Sequence, residues 1–349
     1  MLMFGITSIH SQQVNTLYFL ENAPMRHLIN PAFQPVSNVY VTLPVIGYSS
    51  AWVGNNAFTM KDFIFTDKNG NTITPYHPNA NPDWLAKKPK NTLIDADAYI
   101  NLFGLGVRIK DNGYFHLNIS EHIIAGAATG TNIFGINQLD SGLIGPFNLG
   151  ANALVYTDFA LGYSHKINDQ WTVGGKFKFL VGQAYVNANL DNISLAHSME
   201  ELHAYGNGNI VAAAPLQWQN LPTDVTDLGN IDTEALAGTD YRDWITPAGL
   251  GAAFDLGATY KPHEQVQISA SVTDLGFIRW TNLAKGNLSI DTTFTGVELN
   301  YGDYVYEGEL NQDSLTAHLT NTLNGYADAL NISDIDNNAK PLTRMLTAN

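Results

Sequence analysis

The chain has 349 residues, 45% of them hydrophobic and only 14% charged, with a formal net charge of -15. Soluble domains have about 25% charged residues, so this chain has few charges for a water-exposed surface. The acidic balance argues against a broad surface that binds nucleic acid. The lack of cysteine excludes disulfide scaffolds and thiolate chemistry. No apolar run approaches 18 residues, which argues against a transmembrane helix. The composition favours a secreted β-rich protein or a transmembrane β-barrel.

The N-terminal region falls into two parts. The run Met1–Ile6 is apolar and is followed by small polar residues up to Ser11, which predicts that residues 1–11 are the remnant of a signal peptide. An ordinary frayed terminus is the alternative. Residues 12–37 contain three prolines, which prevent one regular strand or helix. Their apolar side chains still need cover, so we predict a plug-like segment under or inside a barrel, with a disordered leader as the alternative.

From residue 38 onward, apolar and polar residues alternate with a period of two, which indicates β-strands. The alternation over residues 94–110 changes phase between Asn101 and Phe103, as a β-bulge would cause. A hairpin turn is predicted at Asp111-Asn112-Gly113. Further alternating segments are residues 115–120, 158–164, 171–181, 254–260 and 266–272.

These segments have the length of membrane-spanning strands, with bulky residues on one face and small or polar residues on the other. Short turns alternate with long loops as the connections between these segments, and the long loops are residues 191–249 and 311–341. We therefore predict an all-β, antiparallel transmembrane β-barrel over residues 38–349. Residues 343–349 resemble the start of another strand, and Asn349 is not the usual terminal aromatic residue, so the barrel is expected to be incomplete at its C-terminus.

Candidate site residues follow from the two faces. Asp95 and Asp97 could form a glycosidase pair, but two solvated lumen carboxylates are the simpler interpretation. Lys176 and Lys178 could select anions with Arg108 or contact a plug carboxylate, or simply balance charge. The lumen candidates are Asp95, Asp97, Asn101, Arg108, Lys176 and Lys178. The membrane-interface candidates, read as an aromatic girdle, are Tyr163, Trp171, Tyr260 and Trp280.

Several segments resemble a Bacteroidetes outer-membrane family of unknown function. They are residues 17–24, 26–35, 101–108 and 271–280. More distantly, that family is similar to long-chain fatty-acid transporters and to barrel proteins associated with type IX secretion. In the transporters, an Asn-Pro-Ala tripeptide belongs to a plug inside the barrel, and Asn30-Pro31-Ala32 matches it. Phe33 stands where a glycine is expected. The plug candidates are Asn30, Pro31, Ala32 and Phe33.

The expected role is non-enzymatic. The histidines lack metal-binding spacing, and no catalytic residue, metal or cofactor is predicted. We expect a protein of the cell outer membrane, in contact with lipid, through which a small hydrophobic molecule passes. One alternative is a barrel platform for a protein partner in secretion or surface attachment. Another is a soluble, secreted β-sandwich that binds glycans.

Overall fold

The computed structural model describes residues 17–20, 23–44, 47–66, 70, 72–74, 82–138, 142–197, 202–214, 247–263, 265–294, 305–306, 309–310 and 330–346. The predicted signal-peptide remnant, residues 1–11, lies outside these ranges. Among the described residues, no helix has the length and apolar character needed to cross a membrane.

The described part of the chain is all-β and antiparallel, as predicted. Its strands are β1 Val39–Thr42, β2 Ser49–Asn55, β3 Phe65–Thr66, β4 Thr72–Ile73, β5 Asn91–Ile109, β6 Gly113–Gly130, β7 Gly142–Lys166, β8 Trp171–His197, β9 Leu202–Ala213, β10 Gly249–His263, β11 Val266–Trp280, β12 Leu283–Phe294, β13 Val305–Tyr306, β14 Glu309–Leu310, β15 Leu330–Asp336 and β16 Leu342–Met345. The short helices are Pro24–Leu28, Met60–Phe63, Pro82–Leu85 and Thr131–Gln138.

One 12-stranded sheet contains the long strands. From β5 to β8, each strand pairs with the next in the chain. The first half of β8 pairs with β10 and the second half with β9, so β9 and β10 lie end to end along β8. On the far side of β10, β11 pairs with β10 and then with β16. On the far side of β9, β12 pairs with β9 and then with β15. At the opposite edge, β1 and β2 both pair with β5.

Two irregularities set which side chains face the interior. The predicted bulge in β5 is confirmed by a register shift between Asn101 and Phe103. A second bulge, in β11, places Thr273 and Asp274 opposite the single residue Asp255 of β10, and Asp274 has a φ of 61°. A bulge inserts one residue, so the alternation on β11 reverses beyond Asp274.

Two of the predicted long loops are partly wrong. The predicted loop 191–249 contains the end of β8, which continues to His197, and the whole of β9. This stretch is rich in glycine and asparagine, which weakens the apolar alternation, and pairing with β8 and β12 holds it in the sheet. The predicted loop 311–341 contains β15, and residues 311–329 lie outside the described ranges.

The inward face of the sheet carries the main buried clusters. One surrounds Trp280, with Tyr156, Leu180, Tyr185 and Ile278. Another joins the N-terminal segment to the sheet through Leu17, Met25, Tyr40 and Tyr114. The N-terminal segment is therefore packed against the sheet through some of its apolar side chains, Leu17 and Met25 among them.

Candidate functional site

The tripeptide Asn30-Pro31-Ala32 lies against the inward face of β8, β10 and β11. The Asn30 amide donates to the carbonyl oxygens of Ala258 and Ala270, at 3.3 and 3.1 Å. Its own side-chain oxygen accepts a hydrogen bond from the Ala32 backbone N–H at 2.9 Å. All three residues are buried, so this contact is an integral part of the fold.

Two glycines make room for the tripeptide. Gly174 of β8 and Gly257 of β10 are register partners. A Cβ atom on Gly174 would overlap the Pro31 carbonyl group, and one on Gly257 would overlap the Asn30 side-chain oxygen. The backbone of residues 30–32 can approach the sheet this closely only because both positions lack a side chain. We call this contact the glycine seat.

Further contacts hold the segment on either side of the glycine seat. The Ser271 hydroxyl donates to the Ile29 carbonyl oxygen at 2.9 Å, and the Tyr18 and Ser269 hydroxyls lie 3.0 Å apart. Phe33 is buried, with the Arg26 guanidinium 4.3 Å from its ring centroid. An aromatic residue at this position is thus accommodated by a cation–π contact.

Arg108 lies at the end of the segment and not among the interior lysines. Its guanidinium donates to the Pro35 carbonyl oxygen, to Gln34 and to Asn38. The prediction that Arg108 forms one cluster with Lys176 and Lys178 is therefore wrong. Arg108 is on β5 and the two lysines are on β8, and β6 and β7 lie between these strands in the sheet.

His27 is the most enclosed titratable group of the segment. Its Nε2 lies 2.9 Å from the Tyr40 hydroxyl, which is also 3.2 Å from Nδ1 of His116, and the two imidazole rings are stacked. Burial, followed by the charge of His116 and the nearby lysines, lowers the pKa of His27 well below its usual value. The neutral ring is the form that fits this site.

A layer of paired charges lies next to the glycine seat, two or more residues further along β8 and β10 from the short turns. We call this direction, away from the turns, above the seat. Lys178 Nζ is 3.0 Å from Asp255 and 2.6 Å from Asp274, and Lys176 Nζ is 3.4 Å from Asp255. Lys176 also donates to the His27 carbonyl oxygen at 3.1 Å, so the layer contacts the backbone of the N-terminal segment. Glu21, the carboxylate of that segment, lies outside the described residues. We call these four side chains the charge layer.

The acidic partners of the two lysines are not among the residues predicted from the sequence. Asp255 occupies an ordinary inward position of β10, and Asp274 faces inward because of the bulge in β11. The Asp274 backbone N–H donates to Asp255 at 2.8 Å, which ties the bulge to the charge layer. An acidic residue within a regular alternation of a strand is a signal for such a site in the sequence. That Asp255 and Asp274 are the partners of the lysines can be identified only from strand register.

Above the charge layer lies a cavity of about 530 Å³. Asp97 lines it, whereas Asp95 lies further along β5 beside Gly126 and Asn152. Asn101 is buried and accepts a hydrogen bond from Thr42 at 2.8 Å. The cavity is lined by residues of β2, β5, β6, β7, β8, β11 and β16, so the sheet curves around it.

A second acidic group at the cavity is paired with histidine. Asp158 lies 3.0 Å from His122 Nε2, and the His122 ring stacks on Tyr156 with centroids 4.5 Å apart. No group of three or more His, Cys, Asp or Glu suited to a metal ion is found among the residues that the structure describes.

Three of the four girdle candidates face outward at one end of the sheet, where short turns join β7 to β8 and β10 to β11. We call this the turn end. Tyr163 and Trp171 are exposed, and Tyr260 stacks on Trp171 with centroids 4.5 Å apart. The prediction for Trp280 is wrong: it is fully buried on the inward face, where its ring lies over Gly182 and stacks on Tyr185. The β11 bulge reverses the alternation before Trp280 and turns it inward.

The fold and the site define a class of protein: a curved antiparallel sheet with a polar, charge-paired interior into which its own N-terminal segment is packed. The sequence model of a protein family described as of unknown function (DUF5723) matches residues 31–349, and the chain belongs to this family. No curated protein and no solved structure matches the chain.

Proposed function

We propose that this protein is a non-enzymatic transmembrane β-barrel of the cell outer membrane, through which a small, largely apolar molecule passes. Residues 12–37 act as its plug. Lipid contacts the outward face of the strands, and the passing molecule occupies the cavity above the charge layer.

The observation that carries the proposal is the exposed apolar face of the long strands. Large apolar side chains point outward in neighbouring strands and are each more than a third exposed. They include Phe159, Leu161, Phe177, Phe179, Phe254, Leu256, Leu275 and Phe277. Soluble monomers rarely expose an apolar patch larger than a few hundred Å², and larger patches mark protein or membrane contacts.

This apolar band has two borders. At the turn end, it is bordered by Tyr163, Trp171 and Tyr260, as in the aromatic girdle of outer-membrane barrels. At the other end the outward row of register partners is mixed. Its polar members are Glu121, Thr157 and Arg279, with the Thr157 hydroxyl donating to Glu121 at 2.7 Å, and its apolar members are Val181 and Leu250. Bands with these borders separate lipid from water in membrane proteins.

The height of the band also suits a membrane. The run from Trp171 to Val181 extends about 33 Å at ~3.3 Å per residue. A strand tilt of roughly 40°, typical of outer-membrane barrels, reduces this to about 25 Å, the usual height of their apolar band. A transmembrane sheet must close on itself to satisfy its edges, and Trp52 of β2 lines the same cavity as Arg344 of β16.

The membrane assignment is tested by placing a charge on each face of β8. Phe177→Arg introduces a charge into the apolar band, at an expected cost of about 2–4 kcal/mol at the membrane midplane. Thr172→Arg is the matched control because it introduces the same side chain at an inward position. We expect Phe177→Arg to reduce the yield of folded protein in lipid vesicles severely and Thr172→Arg to leave it close to wild type.

Equal yields for the two variants would contradict the membrane assignment. Passage is tested separately by comparing uptake of a small apolar dye by vesicles with and without the wild-type protein. If the two vesicle preparations take up the dye at the same rate, the passage role is wrong even where the membrane assignment stands.

A further inference from the structure

The cavity above the charge layer has walls of two kinds. Its apolar wall is formed mainly by Trp280, Ile278, Leu154, Ile124 and Leu346. Its base and one side carry polar groups from β6, β7 and β8, among them Asn118, Ser120, Asp158 and Lys178. A cavity with these two walls fits a molecule that has an apolar body and one polar end.

The cations at the cavity already have partners. Lys178 is held by two carboxylates, and Lys176 by one carboxylate and the His27 carbonyl oxygen. The Arg344 guanidinium lies 5.5 Å from the centroid of the Tyr185 ring. An anionic ligand would have to displace one of these contacts to be neutralised.

The formal charges lining the cavity are balanced. Setting His122 aside, the described lining residues include three acids and three bases, namely Asp97, Asp158, Asp274, Lys176, Lys178 and Arg344. A ligand that carries a net charge must lose its hydration without gaining a surplus of opposite charge, and this is costly in a buried site.

Hydrogen-bonding capacity is left over at the cavity base. Asn118 is 1% exposed, yet neither its amide nitrogen nor its amide oxygen has a hydrogen-bond partner in the structure. Oδ1 of Asp158 is also buried and unpartnered. Asn118 and Asp158 lie one pleat apart, since Asn118 pairs with Ala160 and Asp158 with Ser120 across β6 and β7. The small Ala160 side chain leaves space beside Asn118.

We infer that the cavity base binds the uncharged polar end of an amphiphile, a hydroxyl or amide group that both donates and accepts hydrogen bonds. The Asn118 amide accepts from and donates to this group, and Asp158 accepts a second hydrogen bond. The apolar body of the ligand lies along the wall around Trp280. This inference rests on the proposed function, because it names the class of molecule that occupies the passage.

The test compares ligands that share one ten-carbon chain and differ only in the polar end. The probes are 1-decanol, decanamide, decanoate, decylammonium and decane, measured at pH 7.5 by equilibrium dialysis against purified full-length protein in amphipol, with amphipol alone as the blank. Decanol and decanamide are expected to bind at least tenfold more tightly than either ion, because an ion loses more hydration on burial and gains no surplus of opposite charge in return.

The variant test uses Asn118→Leu, which keeps the side-chain shape and removes both hydrogen-bonding atoms. It should reduce the affinity for decanol and decanamide about tenfold and leave that for decane unchanged. Asn187→Leu is the matched control, because it makes the same change at an amide of β8 that is absent from the cavity lining. The comparison of probes on the wild-type protein stands even if a variant does not fold.

The outcomes separate this inference from the proposed function. Tight binding of decanoate or decylammonium, equal to that of decanol, would overturn the uncharged end and leave passage of a small apolar molecule standing. An unchanged decanol affinity in folded Asn118→Leu would overturn the assignment of the site. If none of the probes binds, the inference and the proposed passage are both wrong.

Discussion

The same strands line both ends of the interior, but one end is filled by the N-terminal segment and the other contains a cavity. At the turn end, Gly174, Gly257 and Ser271 let a backbone approach the sheet, and residues 30–32 fill the space. Further along the same strands, large side chains such as Trp280 form the walls of an open cavity. The charge layer lies between the two. The comparison shows that the size and charge of the inward side chains, more than the path of the strands, decide where this interior is closed.

The largest effect is expected at the charge layer. Lys178→Met would leave the fully buried Asp255 and the partly buried Asp274 with less compensation, and breaking a buried ion pair costs about 3–5 kcal/mol. Loss of folded protein in a urea titration would report this. Lys166→Met is the control: its partner Asp169 is almost fully exposed, and a surface pair contributes less than about 1 kcal/mol. Equal midpoints for the two variants would show that the charge layer does not stabilise the interior.

A smaller and more local effect is expected at the glycine seat. Gly174→Ala places a Cβ atom against the Pro31 carbonyl group, and overpacking of this kind costs about 1–3 kcal/mol. The N-terminal segment should leave the seat more often, and conductance in planar bilayers should rise. The neighbouring Gly175→Ala is the matched control, because a Cβ atom there would make only ordinary contacts at 3.7 and 3.8 Å.

The same displacement can be measured chemically, because the chain has no native cysteine. Cysteine placed at the buried position Ala32 should react with a thiol reagent faster in Gly174→Ala than in Gly175→Ala. If both glycine variants label at the wild-type rate, residues 30–32 are not held by the close approach at Gly174.

A third effect is expected from pH. The pKa of His27 is lowered in the seated segment and returns to about 6.5 when the segment detaches. Below that pH the detached form binds a proton that the seated form does not, so seating weakens by about 1.4 kcal/mol per pH unit until the lowered pKa is reached. Above about pH 6.5 this contribution is constant.

Labelling of Ala32→Cys, divided by labelling of Asp169→Cys in an exposed turn, should therefore rise as pH falls from 7.5 to 5. The ratio corrects for the intrinsic pH dependence of thiol reactivity. His27→Gln should flatten the profile. A profile that keeps its slope in this variant would place the titrating group elsewhere, with His116 as the nearest ring.

Much of the sheet could be predicted from local pattern. The alternation around Phe177 and Lys178 identified an apolar and a polar face, and the change of phase at Asn101 located the first bulge. The second bulge was missed because Thr273 and Asp274 continue a plausible alternation in the sequence. Only the pairing with β10 reveals the extra residue, and the inward placement of Trp280 follows from it.

The sequence by itself determined the strands, their two faces and the irregular, proline-interrupted N-terminal segment, because these depend on residues close together in the chain. The tertiary structure decided what meets inside the sheet. Asn30 reaches Ala258, and Lys178 reaches Asp274, across 228 and 96 positions of the chain. Such partners depend on strand register and on the curvature of the sheet, and a single inserted residue in one strand changes which side chains face the interior.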